Sequence, residues 1–341
     1  MKFSTTVIFS VLFAVVAGFY TYLSPNPESV KAVSPSSASA RLVALEGDNE
    51  INWIQIQNLE RKEPITLALE GDRWILRYPV SYPTDPLIVN GLVTALTLST
   101  VGRRLFPEEG WDEYGLLNPS IKVGIQTKRG GKRQYLYLGS QSPVGEYIYA
   151  KWEGGMDYFL LDKNFKQAFD RSLYSVRQKQ IFRTPVGDIS RIDVKTASRE
   201  LELARENGQW MWVKPSQAAS GLSVSKERMD EFLILLRDLF VKDFLDAEKK
   251  DRREYGITDD GTSIKVWGTT VAPEVFYLGR EAPAKNGFFG TRAGENVIFL
   301  VSRDNIRLLF EMLETAADEA VAMAAKQSSQ MAAKSSTQKT G

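Results

Sequence analysis

Four cations, Lys128, Arg129, Lys132 and Arg133, surround the pair Gly130–Gly131 in the stretch TKRGGKRQ. A glycine turn carrying four positive side chains can take an anionic glycan or a phospholipid headgroup through charge-assisted hydrogen bonds. The same pattern also describes a solvated hairpin tip. Tyr147 and Tyr149, in GEYIYAKW, lie two residues apart and therefore share one face of a strand. Aromatic faces placed there can stack on a sugar or anchor a protein partner, although tyrosine also favours strands for packing alone. General acid–base chemistry has little to draw on, because the 341-residue chain contains no histidine and no cysteine. The carboxylates Asp72, Glu108, Glu109, Asp112 and Glu113 show no spacing that sets two of them across a glycosidic bond. AEKKDRRE, residues 247–254, interleaves both signs of charge and reads as a solvated helix end. No glycine-rich phosphate cradle of the Walker or Rossmann type is written. Lysine plus arginine total 43 against 42 acidic residues, a balance without the electrostatic footprint of a nucleic-acid binder. These counts predict a protein that is not an enzyme and uses no cofactor or metal.

The elements that must position these residues repeat. NWIQIQN (52–58) alternates apolar and polar side chains as a half-buried strand does, and SRIDVKT (190–196) matches it. ITLALEGDRWIL and LELARENGQWMW each read strand, tight turn, strand, the second with the strong hairpin pair Asn207–Gly208. A helix follows in each half. The first starts at the cap Asp85–Pro86 and is expected to reach about Arg103. The second is capped by Ser225 and carries an apolar stripe of Met229, Phe232, Leu233, Leu236, Phe240 and Phe244. Next come DEYGLLNP and REYGITDD, then paired strands in which Gly139 and Gly279, and likewise Phe159 and Phe299, stand 140 residues apart. Tyr114–Gly115 and Tyr255–Gly256 thus occupy the same station between helix and strand. Glycine there can take the left-handed conformation of a chain reversal, with the tyrosine ring packed under the turn. Closing helices are expected over 164–176 and 304–325.

The fold class predicted is α+β: two tandem repeated modules of mostly antiparallel sheet with packed helices, 44–180 and 181–325, behind one N-terminal transmembrane helix. Phe3–Leu23 holds 21 residues without a charge, long enough at about 1.5 Å per residue to cross a hydrocarbon core. Tyr20 and Tyr22 suit an interfacial aromatic belt. The reading as an uncleaved anchor competes with a cleaved signal peptide. The A-x-A site at Ala38–Ala40 lies far past the apolar run, which favours the anchor. The short positive N-terminus suggests that the bulk of the chain lies outside the cytoplasm. Residues 24–43, rich in Ser, Pro and Ala, read as a flexible tether, and 326–341 as a disordered tail.

The order of these pieces resembles a known family. A tethered N-terminus, sheet-forming blocks, a helix ending in Tyr114-Gly115-Leu116 with Pro119, then LYLG, YFLLDK and the junction SLYSVRQKQIFRTPVGDISRIDV look like the DUF4340 family of bacterial envelope proteins. The resemblance covers about residues 50–315. In the second half Thr258-Asp259-Asp260 follows the motif and the proline is missing. The resemblance implies an accessory, non-ATPase component associated with ABC-type export or gliding-motility-type transport, seated in the inner membrane. It implies no catalytic residue and no cofactor. The expected function is that of an interaction component with a protein partner; the alternative is an extracytoplasmic binding module for a glycan, lipid or peptide.

Overall fold

In a computed structural model, the structure describes residues 40–45, 50–59, 61, 63–106, 111–143, 145–214, 219–246 and 251–338. The expected membrane anchor lies outside these residues, as do most of the tether and the last three residues of the tail. Among the described residues no helix is long and apolar enough to cross a membrane.

The protein is α+β, with two antiparallel sheets and few helices. The first sheet contains β1 (Ile51–Asn58), β2 (Ile65–Glu70), β3 (Arg73–Tyr78), β4 (Tyr82–Pro83), β5 (Arg104–Leu105), β6 (Ile121–Thr127), β7 (Gln134–Gln141), β8 (Tyr147–Trp152) and β9 (Tyr158–Asp162). Their order across the sheet is β4-β3-β2-β1-β6-β7-β8-β9-β5. The second contains β10 (Arg191–Lys195), β11 (Glu200–Glu206), β12 (Gln209–Lys214), β13 (Val241–Phe244), β14 (Ser263–Trp267), β15 (Glu274–Ala282), β16 (Gly287–Arg292) and β17 (Phe299–Ser302). Its order, β12-β11-β10-β14-β15-β16-β17-β13, repeats the first sheet strand for strand once β4 is set aside.

Each sheet buries one face under helices, α1 (Pro86–Leu98), α2 (Lys163–Phe169) and α3 (Leu173–Val176) in the first half, α4 (Lys226–Arg237) and α5 (Arg303–Gln338) in the second. The alternation of β1 shows why. Ile54 and Ile56 enter a core with Val89, Leu92 and Leu96 of α1, while Trp53 and Gln55 point to the other face. Asp85 caps α1 by accepting from the amide of Leu87 (3.0 Å), and Ser225 caps α4 by accepting from Arg228. Met229, Phe232, Leu233 and Leu236 fill the second core against Leu309, Leu313 and Ala317 of α5.

Several boundaries differ from those the sequence predicts. α1 ends at Leu98, not Arg103, because the chain turns extended at Ser99 and sends Arg104–Leu105 to the far edge of the sheet beside β9. The stripe of α4 stops at Leu236; Phe240 and Phe244 lie beyond the helix, the latter in β13. The first closing helix is two short helices, broken at Asp170–Ser172. The second runs through Gln338, well past Ala325, so the segment expected to be disordered is helical there. The tether also ends early: Leu42 and Val43 are buried in the first core, and Leu42 donates to the Ser99 carbonyl (2.8 Å).

Candidate functional site

The two halves meet at a seam built from β4, the junction after α3, β13 and the loop after β16. Arg177 bridges to Thr84, and its neighbour Gln180 bridges to Phe240, so the junction pairs with both halves. Arg177 is only 1% exposed. Its guanidinium donates to both oxygens of Asp246, at 2.6 and 2.8 Å, and lies 4.2 Å from the centroid of the Phe244 ring. Arginine suits this position because its planar fork meets a carboxylate with two parallel hydrogen bonds and its face accepts an aromatic ring. Tyr82 packs edge-on against Phe244 at 5.2 Å. Arg292, from the second half, donates to the Tyr82 hydroxyl and to the Gln180 carbonyl (2.5 Å), and its Nε stands 3.0 Å from Glu295 as an ion pair. Burial pushes the Tyr82 hydroxyl up to about 12 against the opposing pull of Arg292.

Beside the seam opens a cleft of about 660 Å³, with Val80 from the first half and Asp246, Arg252, Arg292, Glu295 and Asn296 from the second on its walls. Its charges are matched within the protein: Asp246 to Arg177, Glu295 to Arg292 and Arg183, Arg252 to Asp259. The cleft wall therefore carries both signs of charge, each already paired, and the Arg177–Asp246 pair ties the junction to the second half. Arg177 lies in the junction SLYSVRQKQ and Arg252 in AEKKDRRE, but nothing in the sequence pairs the seam residues with one another. Their partners are 69 and 210 residues away, and no local periodicity joins them.

The basic loop sits at the β6–β7 tip. Gly131 takes φ +60°, as a turn requires. Lys128 pairs with Glu50, Arg133 lies over the Trp53 ring at 4.2 Å, and Arg129 and Lys132 are exposed. Arg133 also lines a second cleft, about 440 Å³, with Trp152 and Glu153. The hydroxyl of Tyr137, then the ammonium of Lys122, hold the Glu153 carboxyl below the usual range.

Tyr147 and Tyr149 share a face of β8 but not a surroundings. Tyr147 is 44% exposed. Tyr149 is packed, 4.9 Å from Tyr114 and 5.7 Å from Tyr158. Burial, and then the hydrogen bond with Tyr114, raise the Tyr158 hydroxyl above its ordinary range. The second half builds the same nook from Tyr255 and Phe289, at 4.9 Å. The structure does not bring the basic loop to these tyrosines. The loop adjoins Gln134, whereas Ile148 pairs with Gln141 at the other end of β7, roughly 20 Å away at about 3.3 Å per residue.

The repeat-defining residues form one device twice. Gly115 (φ +64°) and Gly256 (φ +74°) reverse the chain, and Gly139 and Gly279 leave room for the carbonyls of Tyr114 and Tyr255. The turn persists in the second half without the proline. Glu108 and Glu109 lie outside the described residues. Among the described residues no cluster of three or more potential ligands could hold a metal ion.

The chain belongs to the DUF4340 family, a domain of unknown function whose family model matches residues 74–253. The matched stretch includes Tyr82, Arg177 and Asp246 and stops before Arg292. No curated protein and no solved structure matches the chain.

Proposed function

We propose that this chain is a non-enzymatic, single-pass inner-membrane protein whose bulk lies outside the cytoplasm and serves as an interaction component of an ABC-type transport assembly. The observation that carries the reading is the seam. Two sheets of the same strand order are held in one fixed orientation by a buried arginine gripping a carboxylate and a second arginine reaching across to Tyr82. A rigid pair of like modules presents surfaces at a set separation, as a scaffold must. The uncharged run Phe3–Leu23 supports the anchoring, and the repeated strand order supports an origin by duplication of one module. Alkaline extraction of membranes tests the anchor: the full chain stays in the pellet, and a chain lacking residues 3–23 is released. Release of the full chain contradicts the reading.

A second reading, a binding module for glycan, lipid or peptide, is favoured by the cleft where Arg133 meets Trp152 and Glu153. Arrays of glycans and lipids probed with the protein and with Arg133→Ala test it; identical binding by both ends it.

A further inference from the structure

Helices α1 and α4 occupy the same station in the two halves. Their caps, Asp85 and Ser225, and their buried residues, Val89, Leu92 and Leu96 against Met229, Phe232 and Leu236, all stand 140 residues apart. Their outward faces differ in kind. In α4 the outward positions are Glu227, Asp230 and Glu231, with Asp238 at the cap, so acids surround the one exposed apolar residue there, Ile234. The same positions in α1 are Leu87, Asn90, Gly91, Thr94 and Leu98, and no residue of α1 is charged. Leu87 is 83% exposed and Leu98 62%.

We infer that this face of α1 docks onto α1 of a second copy of the chain, the two helices running antiparallel. The stripe reads the same from either end: Leu87, four residues to Gly91, three to Thr94, four to Leu98. A two-fold axis between Gly91 and Thr94 sets Leu87 on Leu98 of the second copy at both ends, with the small residues at the crossing. Nothing lies within 4 Å of a Cβ built on Gly91, so a second helix meets no obstruction there. Antiparallel pairing opposes the helix dipoles favourably. A helix of 13 residues is about 20 Å long, and a contact of that length buries less than the ~1,200 Å² of a stable free dimer. The pair therefore needs help, and the chain outside the structure supplies it. Residues 1–39 join at Ala40, whose carbonyl accepts from Val101 (2.7 Å), at the Leu98 end of the stripe. Resting on the anchoring proposed above, two copies in one bilayer meet at raised effective concentration.

The absence of cysteine makes the test clean. Full-length Leu87→Cys and Leu98→Cys chains, reconstituted together in phosphatidylcholine vesicles and oxidised, give the mixed cross-link in at least tenfold excess over either like pair. Like positions lie about 16 Å apart along the axis in an antiparallel pair. Dominant Leu87→Cys self-linking, or no cross-link above that of a cysteine placed on α4 at Asp230, overturns the inference. A triple variant that copies the second half, Leu87→Glu with Gly91→Glu and Leu98→Asp, loses dimer and keeps its melting temperature. Retained dimer overturns the inference, and so does a large fall in melting temperature, which would mean that the face is covered within one chain. If the protein fails to enter vesicles, the anchoring fails instead, and cross-linking at high protein concentration in solution still decides the pairing.

Discussion

The carbonyl oxygen of Tyr114 closes directly over Gly139, where any Cβ would collide with it, and Tyr255 closes over Gly279 in the same way. The two turns that repeat in the sequence are thus each clamped to the glycine of the strand beneath. Replacing Gly139 or Gly279 by alanine is expected to cost about 1–3 kcal/mol each through overpacking. Gly91→Ala, in open space on a helix, is expected to gain up to about 1 kcal/mol. Urea midpoints of the three variants check the contrast.

Arg177→Ala leaves the Asp246 carboxylate without its bidentate partner and removes a cation from the Phe244 ring. A loss of about 3 kcal/mol follows, the lower end for a broken buried pair because Asp246 is partly exposed. The Arg177→Ala, Asp246→Ala double variant loses less than the sum of the singles. Additive losses in a double-mutant cycle would show that the two residues do not act as a pair.

Tyr82 ties stability to alkaline pH. Its folded pKa is raised from 10.0 to about 12, so its contribution is whole below pH 10 and is lost as pH climbs towards 12. The loss is on the order of 2 kcal/mol. Tyr82→Phe is expected to flatten this part of the profile relative to the parent protein. Parallel profiles from thermal melts between pH 9 and 12 would remove Tyr82 as the source.

Tyr147 and Tyr149 separate by stability. Tyr149→Ala opens the nook shared with Tyr114 and Tyr158 and is expected to cost about 2 kcal/mol. Tyr147→Ala and Lys132→Ala, both at exposed positions, stay within about 0.5 kcal/mol of the parent. Equal losses at the two tyrosines in chemical denaturation would contradict the assignment.

What could be read from the chain followed the range of each signal. Period-two alternation in NWIQIQN, the Asn207–Gly208 turn and the caps at Asp85 and Ser225 act over a few residues, and each lies where expected. The two-residue strand β5 carries no periodicity, so its place beside β9 was hidden. The tail after Ala325 is polar and low in bulky residues, yet α5 carries on through Gln338 because a helix already nucleated on the core extends at little cost. Tyr149 read as a surface residue because its packing partners, Tyr114 and Tyr158, come from a turn and from the next strand. The seam's pairings are hidden for the same reason: Arg177 and Arg292 owe their environment to partners far along the chain.

The most direct test of the proposed role is affinity purification of the full-length chain from detergent-solubilised membranes of its own cell, with components identified by mass spectrometry. A membrane-embedded transport subunit recovered in stoichiometric amount, and lost with the chain that lacks residues 3–23, is the expected result. Recovery of the chain from the aqueous fraction with no companion would contradict it.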